Sequence, residues 1–402
     1  MSDARAVRPL RLAFVKPDVG VTGGLELVVD RLEAAARASG WEVARVVVDA
    51  VPPRAEVAGL DIPRAVWEAA PEYFRYLWAR DRFDRLDLRR HDVVVSTQPP
   101  SFAIDHPRHV SLFYHHHRVY YDLEEPFLAA GFAPDEQVHR EAGRLVRELD
   151  RPALDRVGWF LAGSEVVARR LATFDGITDA SVFHAGPMVP VGGDPAPAGR
   201  RGALCVGRLE FPKRTELVVA AAHLLGDVET TVVGTGGRRA WVESLDHRLA
   251  TGEIAVDELT ADDLWRNTGL GAPPIDEPAP SPVSIAGRLG DSELAAAFAT
   301  ATCVVAPALD EDYGLTAIEA MARATPVIVC RDGGGLAELV EDGRTGLVVD
   351  PTPAAIAAAV RRLHDDPDLA TELGRNGLDR AAELSWDHAA DEFRDGVERV
   401  LS

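Results

Sequence analysis

Lysine is nearly missing from this chain of 402 residues. Of its 43 basic residues, two are lysine (Lys16 and Lys213) and the remaining 41 are arginine. Arginine offers a planar fork and lysine a compact point charge, so the two are not interchangeable. Where arginine has taken almost every basic position, a surviving lysine marks a place that needs the smaller cation. Both lysines fall beside glycine-rich loops. Cysteine is scarce too. Cys205, Cys303 and Cys330 are too few and too scattered for a disulfide framework or a zinc site, and each sits in an apolar run as a small core residue. No stretch approaches the ~18 apolar residues that would span a bilayer. The polar start, Met1 to Pro9, lacks the apolar run of a secretory signal, so a soluble cytoplasmic protein is expected. Positive charge is also in deficit: the net charge of −21 repels nucleic acid and anionic lipid at long range. It leaves room for a few local cations to hold a small phosphate compound.

What is present is a strand–helix alternation, long enough for two α/β domains. Leu10 to Val15 reads as a strand, Lys16 to Gly24 (KPDVGVTGG) as a glycine-rich loop, and Leu25 to Ser39 as a helix stopped by Gly40. Further apolar runs follow at Val43–Asp49, Asp92–Ser96, Val110–Tyr114 and Trp159–Ser164. Residues 191–201, within VPVGGDPAPAGRR, break the pattern as a linker. It restarts with strands at Ala203–Val206, Thr230–Val233, Cys303–Ala306, Pro326–Val329 and Gly346–Val349. The expected fold is two Rossmann-like, doubly wound parallel sheets facing each other across a cleft, where the carboxyl ends of the strands bind ligands. Residues 1–190 with 380–402 are assigned to the first domain and 202–379 to the second. The last helix, Trp386 to Leu401, is assigned to the first. Residues 238–282 read as a surface insertion. Residues 72–90 interleave six arginines with aromatics, which suits ordinary helix packing better than a membrane or acceptor surface.

The chemistry-bearing residues cluster in the second half. VGRLEFPK places Arg208 and Lys213 just after a strand, where two cations can neutralise a leaving phosphate. EDYGLTAIE (Glu311 to Glu319) follows the strand Cys303–Ala306. Gly314 permits close backbone approach, and a helix beginning near Leu315 would aim the amides of Gly314, Leu315 and Thr316 at a phosphate. Glu319, one turn inside on a mostly apolar segment, needs hydroxyl partners. VGTGG carries Gly234 and Gly236. In the first half, FYHHHR follows a strand. Three consecutive histidines on an extended chain point to alternate faces and do not converge on one metal ion. The absence of GxGxxG after the first strand argues against a dinucleotide dehydrogenase.

Glu311 to Glu319 resembles the E-x7-E signature of retaining glycosyltransferase family 4. GGLE (Gly23 to Glu26), GSEVVARRL (Gly163 to Leu171), VGRLEFPKR, VGTGG and GGGLAELVEDGRTGLVV (Gly333 to Val349) extend the resemblance over most of the chain. It implies a GT-B enzyme that moves a hexose from a UDP- or GDP-linked sugar to an acceptor hydroxyl with retention, with no metal and no cofactor. The implied catalytic set is His116, Arg208, Lys213 and Glu311. Within the histidine run His116 fits best, with His115 and His117 open. Glu311 would contact donor-sugar hydroxyls, Gly314, Leu315 and Thr316 the distal phosphate, and Glu319 the ribose diol. Gly234 and Gly236 would border the base, and Gly23 and Gly24 would approach the phosphates. A soluble metabolite or natural-product core is the expected acceptor, with a membrane lipid or surface glycan as the alternative. A donor-hydrolysing epimerase or a non-catalytic sugar-nucleotide-binding subunit are the readings outside this class.

Overall fold

The computed structural model describes residues 8–18, 20, 23–192, 199–260, 263–264, 275 and 279–402. Its contacts divide the chain into two compact units, 1–185 with 386–402, and 186–385. These divisions lie five or six residues from 190 and 380.

Unit 1 is built on a six-stranded sheet. Its strands are β1 (Arg11–Asp18), β2 (Glu42–Asp49), β5 (Val93–Ser96), β6 (His109–Phe113), β7 (Trp159–Ala162) and β8 (Ser181–Val182). A two-stranded hairpin of β3 (Glu56–Val57) and β4 (Leu60–Asp61) stands apart from it. The sheet order is β2-β1-β5-β6-β7-β8, and every pairing in it is parallel. β5, β6 and β7 are buried along their whole length. Their continuous apolar runs are what a sheet covered on both faces requires. The terminal helix Trp386–Leu401 belongs to this unit: Phe393 stacks on Phe14 at 5.5 Å and Arg399 lies over Trp159 at 4.0 Å.

The basic, aromatic segment forms the helix Pro71–Asp84. Tyr76, Trp78 and Phe83 are buried, Arg80 bonds the buried Asp150 at 2.9 Å, and Arg82 covers Trp78. These side chains belong to the unit's own packing. Among the described residues, no helix is long and apolar enough to cross a membrane.

Unit 2 carries β9 (Ala203–Val206), β10 (Thr230–Val233), β11 (Val283–Gly287), β12 (Cys303–Ala306), β13 (Val327–Cys330) and β14 (Gly346–Val349). Their order is β11-β10-β9-β12-β13-β14, again all parallel. This is the Rossmann order 3-2-1-4-5-6, whose direction reverses between β9 and β12. In unit 1 the reversal falls between β1 and β5. The three cysteines are buried in unit 2, and burial pushes the thiols of Cys205 and Cys303 up to about 12 and that of Cys330 to about 11. They act as small apolar side chains.

The supposed insertion needs correcting over its first half. Arg239–Ala250 is a helix whose Val242, Leu245 and Leu249 join the core of unit 2, with Ile254, Val256 and Leu259 packed against it. It is the crossover from β10 to β11, a necessary part of a parallel sheet. Its charged residues mask an apolar stripe at positions 242, 245 and 249. The proline-rich remainder lies largely outside the described residues.

Candidate functional site

The reversal point of unit 2 gathers most of the candidates. From β9 the chain runs through Arg208 into a single 3-10 turn, Phe211–Lys213. From β12 it runs through Pro307 to Gly314 and into the helix Leu315–Met321. The Lys213 ammonium meets a Glu311 carboxylate oxygen, and both side chains keep partial exposure, 25% and 20%.

A residue not singled out from the sequence fixes this pair. Arg214 follows Lys213 in a left-handed conformation, φ 50°, with its side chain fully buried. Its Nε donates to the Pro307 carbonyl at 2.7 Å, and its two terminal nitrogens donate to Asp332 at 2.8 and 2.6 Å. The guanidinium fork thus ties the Lys213 turn to the loop bearing Glu311 and to the loop after β13. Leu309 N–H donates to Pro212 at 2.7 Å, and Glu311 N–H to Gly333 at 3.0 Å. The ladder of backbone bonds leaves Glu311 little freedom except in its side chain. A buried arginine with carbonyl partners carries no sequence signal of its own in a chain with 41 arginines.

Gly314 caps the helix at φ 109°, and a Cβ there would stand 2.5 Å from the Leu336 side chain. Only glycine fits. Leu315 and Thr316 are half-exposed in the first turn, where no helical carbonyl precedes their amides, while Ala317, Ile318, Ala320 and Met321 are buried. Glu319 is half-buried, and burial pushes its carboxyl up to about 7 against the opposing pull of Arg323. Arg208 is exposed, and no hydrogen bond or ion pair ties its side chain to the described residues.

Gly234 and Gly236 have a different reason for being glycine. A Cβ on Gly234 would lie 1.8 Å from the Gly207 carbonyl oxygen, and one on Gly236 2.4 Å from that of Leu209. Gly207 and Leu209 donate to Val233 and Thr235, and Gly234 to Gly287. These glycines let the loops after β9, β10 and β11 lie against one another. That backbone packing accounts for both positions.

In unit 1 the reversal point holds the GGLE loop. Gly23 precedes the helix Gly24–Ala38, and the Glu26 carboxylate reaches back to Gly23 N–H at 2.8 Å as in a capping box. Its other oxygen accepts from Gln98 at 2.8 Å and faces Lys16 at 3.4 Å. Glu26, Gln98 and Lys16 are joined here, although nothing in the sequence singles out Gln98.

The histidine run requires a correction. His116 is fully buried, stacked on Tyr121 at 4.1 Å and hydrogen-bonded through Nε2 to Asp175 at 2.6 Å. It has no surface to offer a ligand. Alternation along the strand end turns 116 inward and leaves His115 and His117 half-exposed. His115 donates from Nδ1 to the His116 carbonyl at 2.6 Å, which puts its acceptor lone pair on Nε2. Burial lowers His117 to about 4, with the charges of His115 and His139 adding to the effect. Ser164 of GSEVV caps the helix Glu165–Asp175, which carries Asp175 to His116.

Residues 280–380 match the model of the "Glycosyl transferases group 1" family. The matched stretch is about a quarter of the chain. It is 30% identical over 286 residues to a D-inositol 3-phosphate glycosyltransferase of Kineococcus radiotolerans, covering 66% of this chain and 60% of the relative. A protein of the same name from an Arthrobacter species is 31% identical over 201 residues, 48% of this chain and 41% of the relative. The chain thus spans about half the length of the curated relatives it matches. Among solved structures, a sucrose-phosphate synthase from Thermosynechococcus elongatus superposes with a TM-score of 0.69 at 20% identity, covering 97% of this chain and 99% of that one. HepE of Anabaena, solved with UDP and glucose, gives 0.63 at 14% identity over 96% and 99%. By this likeness the two parallel-sheet units form a GT-B fold.

Proposed function

We propose that the protein is a retaining, metal-independent hexosyltransferase that takes its sugar from a nucleoside diphosphate donor. The observation that carries the reading is the Lys213–Glu311 pair at the reversal point of unit 2. A cation held beside a carboxylate, with the exposed Arg208 on the same loop, suits a leaving diphosphate next to a hydroxylated sugar. When a donor binds, its phosphates compete for Lys213 and release Glu311 to accept from sugar hydroxyls. The amides of the Leu315 turn face the distal phosphate and Glu319 the ribose diol. Acceptor recognition is assigned to unit 1, where the half-exposed His115 replaces the buried His116 as the candidate histidine. The leaving phosphate oxygen takes the acceptor proton in a front-face reaction, since this set holds no separate covalent nucleophile.

The acceptor reading is a soluble polyol or other small metabolite. The acidic surface, and relatives named for D-inositol 3-phosphate, support it. The burial of Tyr76, Trp78 and Phe83 in helix Pro71–Asp84 weakens the main sequence argument for a membrane-bound acceptor.

The test is thermal stabilisation by UDP, GDP, dTDP and ADP and their sugar conjugates, with Glu319→Ala in parallel. A ligand at 100 times its Kd stabilises by about 2.7 kcal/mol. The expected result is one base that stabilises the wild type and loses most of that effect in the variant. No response to any nucleotide or sugar nucleotide overturns the donor site.

A further inference from the structure

The geometry points to a divalent transition-metal site in unit 1, formed by His184, His388 and Glu392 and remote in sequence from every candidate above. His388 and Glu392 are one turn apart on the helix Trp386–Leu401, and His184 follows β8. His184 Nδ1 lies 2.9 Å and His388 Nε2 3.1 Å from the same oxygen of Glu392. Three potential ligand atoms, all within 4.8 Å of one another, therefore converge from two chain segments.

The donor chemistry suits zinc. Two neutral imidazoles and one carboxylate leave the fourth tetrahedral position to water, and His388, 61% exposed, keeps the site open to solvent. Metal–ligand bonds of about 2.0–2.2 Å put tetrahedral ligand atoms roughly 3.4 Å apart, so the two nitrogens need move only a few tenths of an ångström from the Glu392 oxygen to admit zinc. Coordination uses the tautomers with lone pairs on His184 Nδ1 and His388 Nε2; the proton that His184 Nδ1 now shares with Glu392 moves to Nε2. The second Glu392 oxygen accepts from the His184 backbone N–H at 2.8 Å, which fixes the carboxylate plane as second partners do in metal sites.

The place is also informative. His184 stands just before the chain leaves unit 1 at Ala185, and His388 just after it returns at Trp386. A cation here cross-links the outgoing and returning segments. The function assigned is a structural clasp, distinct from the donor chemistry of unit 2.

The experiment uses the untagged full chain, freed of metal with a chelator and titrated with zinc chloride at pH 7.5 by calorimetry, with cobalt absorption as a second readout. Expected are one zinc per chain, a raised Tm and a tetrahedral cobalt spectrum. His388→Ala and Glu392→Gln weaken binding at least ~10-fold, while His115→Ala leaves it unchanged. Melting curves without metal verify that each variant is folded. Absence of saturable binding overturns the proposal. So does binding that survives His388→Ala and Glu392→Gln, or that His115→Ala removes.

Discussion

The chain's two lysines occupy matching places in its two units and differ in what surrounds them. Lys16 faces Glu26 at the reversal point of unit 1, and Lys213 faces Glu311 at that of unit 2. In unit 1 the carboxylate is saturated: Gly23, Gln98 and Lys16 all direct protons at it, and the pair is only 15% and 11% exposed. In unit 2 the Glu311 carboxylate has Lys213, greater exposure, and the unbridged Arg208 on a neighbouring turn. A saturated pair is a lock on a loop. A pair with one strong contact and access to solvent can exchange that contact for a ligand at small cost.

The sharpest way to break the comparison is to remove each ammonium. Lys213→Ala is expected to lower nucleotide release from the donor by ~100- to 1,000-fold, the usual loss for one preorganised charge-stabilising donor. Lys16→Ala should cost less than ~10-fold in rate and about 1 kcal/mol of stability, the scale of a modest ion pair. Equal kinetic losses in the two variants would erase the distinction between lock and exchangeable pair.

Next in size is the support behind the unit 2 pair. Arg214→Met removes a buried fork and leaves the Pro307 carbonyl without its donor. The loss should be about 3 kcal/mol by urea denaturation, since unpaired buried polar groups are expensive. Asp332 is 39% exposed, so Asp332→Asn should cost under half as much. Similar costs for the two would mean that the carbonyl contacts contribute little.

What could be read from the residues follows a physical division. Parallel strands advertise themselves through continuous apolar runs, and glycines at strand ends mark the loops, so the two sheets were legible. Val283–Gly287 was not: it alternates half-exposed with exposed residues and follows a proline-rich stretch, so it lacks the run that marks a buried strand. The helix Arg239–Ala250 was hidden beneath its charges. At the site, residue type and spacing pointed to Lys213 with Glu311, but could not say which of three adjacent histidines faces outward. That depends on the pairing of His116 with Asp175, 59 residues away. Arg214 was invisible for the same reason, because its partners lie 93 and 118 positions along the chain.

Glu319 gives the subtlest test of the exchangeable site. Its carboxyl is pushed up to about 7 by burial, from an ordinary value near 4.5. For folding, a raised value means a contribution that is complete below about 4.5 and is lost as pH rises through 7. For binding the sign reverses, because ribose hydroxyls donate to the ionised carboxylate. Sugar-nucleotide affinity should therefore climb roughly 10-fold between about pH 6 and 8 and then level off. Glu319→Gln cannot ionise, so its profile reports only the ligand and the rest of the protein and should be nearly flat. Calorimetry in buffers of different ionisation enthalpy should also detect a proton released on binding near pH 6 in the wild type and none in the variant. A flat wild-type profile would remove Glu319 from the ribose contact and leave it as a buried acid that shapes unit 2 alone.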